Sequence, residues 1–247
     1  MALIEKQSVF LPVIQIMNRE LKAFFQSFLA WFILFFMTLI NGLASYWYIK
    51  DKPVSNQAMQ LIFYFLFGTV LISGVLLAMR LFSEEKANGT IELLITAPVT
   101  ETQIVAGKYL SALVFLFFLI LATFPVPLTV IIYGSAFWGH IFTGYLGVFL
   151  VGACGIAITT FYSTLTKTQL LAAVSGGANI AVFLLLGFFS PFLSNPFQQI
   201  FREFSFYVHF IDFEQGVIML KHVIFYSSVI CFYLALSVIS LGSHKWR

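Results

Sequence analysis

The sequence predicts an all-α, polytopic membrane protein with six transmembrane helices. Three observations predict it. Hydrophobic residues make up 60% of the 247-residue chain and charged residues 9%, against roughly a quarter charged in a soluble domain. Thirty-one phenylalanines could not be hidden behind so few polar groups if the solvent were water. Finally, six apolar stretches approach or exceed the ~20 residues that a helix needs to cross the hydrocarbon core. Their length, and the lack of period-two alternation, select helices over barrel strands.

The stretches run over 28–49, 58–82, 109–133, 143–165, 170–190 and 223–241, and Arg80 is the one charge within them. Before the first, Glu5, Lys6, Arg19, Glu20 and Lys22 interrupt any apolar core, so no cleavable signal peptide is expected. Instead 10–27 forms an amphipathic pattern. Ile14, Met17, Leu21, Phe24, Phe25 and Phe28 share one helical face, and Gln15, Asn18, Arg19, Lys22 and Gln26 the other. This predicts an interfacial helix lying in the membrane plane; the alternative is a plain extension of the first span. Pro125 and Pro127 predict a kink in the third span. Small residues in the fourth and fifth (Gly144, Gly147, Gly152 and Gly155, then Ala172, Ala173, Gly176 and Gly177) predict close helix contacts.

Lys and Arg in the connections set the orientation. Lys6, Arg19, Lys22, Arg80, Lys86, Lys108, Lys167, Lys245 and Arg247 fall on one side, and Lys50, Lys52, Arg202 and Lys221 on the other. The bias places both termini, and loop 83–108, in the cytoplasm.

That loop carries four of the ten acidic residues. Asn88-Gly89 stops the helix running on from the second span. Thr90 is suited to cap a new helix, with Glu92 in its first turn, where the dipole favours an anion. Pro98 ends that helix by disfavouring helical geometry at Ala97. Thr100-Glu101-Thr102-Gln103 is a capping box that opens the third span. A short helix results, with Ile91, Leu94 and Ile95 on one face. It is either a structured reversal of the chain or a docking element for a cytoplasmic partner.

Several chemistries are excluded. Gly107-Lys108 would belong to a phosphate-binding loop only with Gly at position 102 and Ser or Thr at 109, where Thr102 and Tyr109 stand. No catalytic residue, metal-ligand spacing or resident cofactor is expected. The scattered Lys and Arg give no nucleic-acid footprint. Cys154 and Cys231 read as small buried hydrophobes. Asn88-Gly89-Thr90 is formally a glycosylation sequon but reads as a turn. His140, His209, His222 and His244 lie outside the predicted spans; His209 with Asp212 and Glu214 is the nearest to a site, and a structural role in an amphipathic segment, 197–216, is expected. The polar residues within the spans (Thr38, Asn41, Thr69, Ser73, Ser175, Asn179) are uncharged, which argues against ion-coupled transport and intramembrane hydrolysis.

Glu84-Glu85, Gly89-Thr90, Leu93-Leu94, Pro98 and Gly107-Lys108 resemble the cytoplasmic loop of ABC-2 type permeases, in the manner of the gliding-motility-associated and copper-enzyme-maturation branch. His209-Phe210, Phe213 and Gly216-Val217-Ile218 before the last span, with Trp246-Arg247, resemble the same branch. The resemblance covers nearly the whole chain. It implies the ABC-2 exporter fold, with one transmembrane permease domain in a bacterial inner membrane and a partly re-entrant, extracytoplasmic segment over 192–222. It also implies that 83–100 holds a coupling helix, in which Glu84, Glu85, Gly89, Thr90, Ile91, Leu93, Leu94 and Pro98 meet a separate ATP-binding subunit that holds ATP and Mg. A second permease copy or paralogue, membrane lipid and an extracytoplasmic accessory protein are the further partners it suggests. The substrate pathway is not legible. A secondary transporter or channel, and a non-transporting membrane anchor, are the alternatives.

Overall fold

A computed structural model describes residues 2–50, 56–92, 98–133 and 137–243, with side chains over 10–47, 58–92, 98–132 and 137–243. Among these residues every regular element is helical: α1 (Ala2–Gln26), α2 (Phe28–Lys50), α3 (Asn56–Ala78), α4 (Arg80–Ala87), α5 (Glu101–Ala122), α6 (Pro125–Tyr133), α7 (Trp138–Leu165), α8 (Gln169–Phe189), α9 (Phe197–Glu203), α10 (Phe206–Glu214) and α11 (Leu220–Ser243), with a 3-10 turn at Ser190–Phe192. Six helical stretches are long and apolar enough to cross a membrane: Phe28–Trp47, Ala58–Ala87, Glu101–Ile132, Trp138–Leu165, Gln169–Phe192 and Leu220–Ser243. The predicted number and order hold. The helices run further into the connections than hydropathy alone suggested, so Lys108, His140 and His222 lie inside helices of the spans.

Helix α7 is the hub. It packs against α3, α4, α5, α8, α10 and α11. Its composition explains this, because small residues let neighbouring backbones approach. A Cβ on Gly152 would stand 2.5 Å from Val70 Cγ1 and 2.7 Å from Leu116 Cδ2, and one on Gly74 would stand 3.2 Å from the Gly152 carbonyl. Polar groups then fix the contacts. Asn41 donates to the Thr69 hydroxyl at 2.9 Å, joining α2 to α3. Asn179 donates to the Tyr162 hydroxyl and accepts from the Tyr233 hydroxyl, both at 2.9 Å, joining α7, α8 and α11.

Two of the spans are broken. The third bends where Pro125 lacks an amide hydrogen: α5 ends at Ala122, and Phe124 N–H turns back to Leu121 O at 3.0 Å. The second breaks at Met79, between α3 and α4. There Ser163 of α7 donates to the Met79 carbonyl and accepts the amides of Phe82 and Ser83, each at 3.0 Å. One hydroxyl thus satisfies backbone groups that the break leaves without helical partners.

The N-terminal helix starts earlier than expected. It begins at Ala2, ahead of residue 10, and runs through Pro12. It is not an extension of the first span: the chain leaves helical geometry at Ser27, whose amide bonds Phe24 O at 3.0 Å. Helix α1 lies along α5, so closely that a Cβ on Gly107 would stand 2.9 Å from Ile16 Cβ and 3.0 Å from Val13 O.

Candidate functional site

The predicted loop begins as its residues suggested. Helix α4 ends in a Schellman motif: Gly89 takes φ +69°, its amide bonds Lys86 O at 3.3 Å, and Thr90 N–H bonds Glu85 O at 2.9 Å. A side chain at position 89 would carry the left-handed penalty that glycine avoids. The Thr90 hydroxyl departs from expectation. It donates back to Glu85 O at 3.3 Å, because the motif already presents that carbonyl to it. Ile91 and Glu92 are helical; Leu93, Leu94 and the rest of 93–97 lie outside the described residues. Ile91 packs onto the hydrophobic core. Pro98 is exposed. The Thr100 capping box closes as predicted: Gln103 N–H reaches Thr100 Oγ1 at 3.3 Å, and Thr100 N–H reaches Gln103 Oε1 at 3.0 Å.

The two glutamates separate. Glu84 is exposed on α4. Glu85 turns inward, to a lysine that sequence reasoning left in the loop. Lys108, in the second turn of α5, is 1% exposed. Its ammonium donates to Leu81 O at 2.7 Å, Glu85 Oε1 at 2.9 Å and Glu20 Oε1 at 3.1 Å. An ammonium has three hydrogens, and all three are used. Arg19 closes the group from outside, with Nη2 at 2.8 Å from Glu20 Oε1 and 3.3 Å from Glu85 Oε1. Two cations and two carboxylates make the knot neutral. Burial works to raise the Glu20 pKa, but Lys108 and Arg19 outweigh it and hold it below the ordinary carboxylate value.

Further bonds seat the same region. Arg80 donates to Ser27 Oγ at 2.7 Å and lies 4.2 Å over the Phe24 ring. Lys86 donates to the Thr164 carbonyl of α7. Helix α4 is therefore fastened to α1, α5 and α7 at once.

The other end of α7 carries a second polar cluster. Helix α10 buries Phe206, Phe210 and Phe213 completely; a Cβ on Gly147 would stand 2.6 Å from Phe213 Cβ. His209 and Asp212, the nearest approach to a site in the sequence, both meet His222. His209 Nδ1 meets His222 Nδ1 at 2.6 Å, and Asp212 Oδ2 meets His222 Nε2 at 2.5 Å. On a helix, residues three apart share a face, but His209 points into the bundle while Asp212 reaches the first turn of α11. A cavity of about 690 Å³ borders the cluster. No group of three or more side chains that could hold a metal ion occurs among the described residues. Cys154 is buried, with Sγ 3.3 Å from Tyr226 O, while Cys231 lies exposed on the outer face of α11, against expectation.

Glu214 ends α10, 8% exposed, with Oε2 buried and without a hydrogen-bond partner. Burial pushes its pKa from 4.5 up to about 7. A raised carboxylate pKa means that the folded state holds a proton the unfolded chain releases, so stability falls as pH rises from about 4.5 and levels off above about 7. Glu214→Gln keeps the shape without the charge. It is expected to flatten that slope in thermal unfolding of the detergent-solubilised protein. An unchanged slope would show that Glu214 does not cause it.

The six helices, the break-and-cap loop and its seating on α1, α5 and α7 define a polytopic helical membrane protein. The model for the family described as "ABC-2 family transporter protein" matches residues 13–227, and the chain belongs to that family. No curated protein matches it.

Proposed function

We propose that this chain is the permease of an ABC exporter of the branch it resembles, in a bacterial inner membrane with both termini cytoplasmic. It forms the substrate pathway together with a second copy or a paralogue. The loop after α4 docks to a separate ATP-binding subunit, which holds ATP and Mg and carries out hydrolysis. The observation that carries this reading is the three-way anchoring of α4. A loop that only reversed the chain would not need Glu85 and Lys86 tied to α1, α5 and α7, whereas a loop that receives force must be joined to what it moves. Glu84, Gly89 and Thr90 face outward as the contact residues, with Leu93 and Leu94 following in sequence. Glu85 belongs to the anchor.

The test is co-purification with an ATP-binding subunit encoded in the gene neighbourhood, followed by ATP turnover in vesicles. The chain alone is expected to show no turnover. Glu84→Arg and Leu94→Asp should each weaken the association about tenfold, equivalent to ~1.4 kcal/mol, and uncouple turnover from transport. Turnover by the chain alone, or unchanged association and transport in both variants, would sink the proposal.

A further inference from the structure

Counting hydrogens in the cluster formed by α10 and α11 leads to an unassigned proton site. Three contacts run in a row. His209 Nε2 lies 2.8 Å from the Glu203 carbonyl, His209 Nδ1 lies 2.6 Å from His222 Nδ1, and His222 Nε2 lies 2.5 Å from Asp212 Oδ2. A carbonyl only accepts, so His209 Nε2 carries a hydrogen. If Asp212 is ionised, it too accepts, and His222 Nε2 carries the second. Two neutral imidazoles hold no further ring hydrogens. Their Nδ1 lone pairs would then face each other at 2.6 Å. Moving either hydrogen to an Nδ1 only shifts the clash, because two hydrogens cannot serve three acceptor-to-acceptor gaps. A third is required, and the total charge of Asp212, His222 and His209 is then zero wherever it sits.

We propose that His209 and His222 bind one proton between their Nδ1 atoms, and that this proton latches α10 to the first turn of α11. The rings are 3% and 2% exposed, and His209 stacks on Phe225 at 4.0 Å between centroids. Neutrality matters at this burial, since the two-hydrogen form would leave a net negative charge there. Asp212, with its side chain 28% exposed, borders the cavity and gives the proton a route to water. Loss of the proton leaves one of the three contacts without a hydrogen, so the row must open there.

The surrounding charges set the direction. Desolvation draws the His209 pKa down, the bond to the Glu203 carbonyl raises it, His222 lowers it, the Glu203 charge raises it and Lys221 lowers it, with a net fall. Asp212 works against the desolvation by making the protonated unit neutral. Arg202 lines the same cavity. Tyr226 of α11 donates to Phe206 O at 2.8 Å. From α7, the His140 ring stands near Gly216, about 3.0 Å from where a Cβ would be. Glu214 titrates on the same helix. The latch is closed in acid and opens as pH rises.

Hydrogen–deuterium exchange of amides 206–214 tests this in the full-length chain in lipid nanodiscs, after correction for intrinsic rates. Protection is expected to fall about tenfold between about pH 5.5 and about pH 8, the range of histidine titration. Glu214→Gln should keep that fall. His222→Asn places an amide donor opposite His209 Nδ1 without an extra proton, so protection should become insensitive to pH. His209→Asn should behave alike, which guards against one variant failing to fold. Four results would overturn the proposal: no fall in the unmodified chain, loss of the fall in Glu214→Gln, its persistence in both histidine variants, or recovery of protection at about pH 8 with one equivalent of Zn²⁺. The last would make the gap a metal site.

Discussion

Lys108→Met is expected to destabilise the protein by about 3–5 kcal/mol, the cost of removing one partner from a buried ion pair. The ammonium is 1% exposed and bridges Glu20, Glu85 and the Leu81 carbonyl. Methionine fills similar space but donates nothing. Two carboxylates would then converge with only the outlying Arg19, and a backbone acceptor would lose its partner. The check is thermal unfolding in detergent, with a large fall in melting temperature expected. Lys108→Met with Glu20→Gln and Glu85→Gln should recover much of the loss, since replacing a whole buried ion network with neutral groups costs far less than leaving half of it. Equal melting temperatures for the unmodified and Lys108→Met proteins would refute the role of the knot. The same geometry makes Glu85→Ala a poor probe of docking, because it strikes the fold as well as the loop; Glu84 is the position where the two separate.

Gly152→Leu should be comparably damaging for a different reason. Gly152 sits at the middle of α7, where even a Cβ would stand 2.5 Å from Val70 and 2.7 Å from Leu116. Leucine adds three more carbons in a place where α3 and α5 leave no gap. Overpacking of this kind costs roughly 1–3 kcal/mol or more, and here it would force apart the contact that holds α3 to the hub. Gly177→Ala is the matched control. Nothing stands within 4 Å of its Cβ position, so it should be neutral or slightly stabilising through helix propensity. Expression and monodispersity on size exclusion, followed by thermal unfolding, would distinguish the two; similar behaviour would contradict the packing at Gly152.

The parts of the fold that were legible in the sequence rest on local chemistry. Six apolar runs announce six spans because each run meets the length requirement by itself. The Thr100–Gln103 box and the Asn88-Gly89 stop are written within four residues. Pro125 interrupts its span because it lacks the amide hydrogen that would continue α5. The charge knot was not legible, because it joins positions 19, 20, 85 and 108, and no local pattern relates them. In the sequence Lys108 serves as a topology signal and, with Gly107, as part of the loop resemblance. One signal was available: helical periodicity continued from the third span places Lys108 on the same face as Ser111, Ala112 and Phe115, all buried. His222 was missed for a similar reason. Hydropathy started the last span at Val223, one residue too late to bring that ring into the bundle, and spacing along one helix favoured Asp212 as the neighbour of His209. Contacts across the bundle depend on how α10 lies against α11, which no short stretch encodes.

The knot also bears on the order in which the chain is made. Synthesis delivers Glu20 first, Glu85 next and Lys108 last. A nascent chain that stops short of residue 108 carries two carboxylates destined for an interior position, and their internal ammonium does not yet exist. Removing such charges from water uncompensated is prohibitive, so α1 and α4 must wait at the aqueous boundary while α3 is already in place. Arrival of α5 then completes the third span and neutralises the pair in one event. Membrane insertion of the first half of this protein is accordingly concluded by a single lysine.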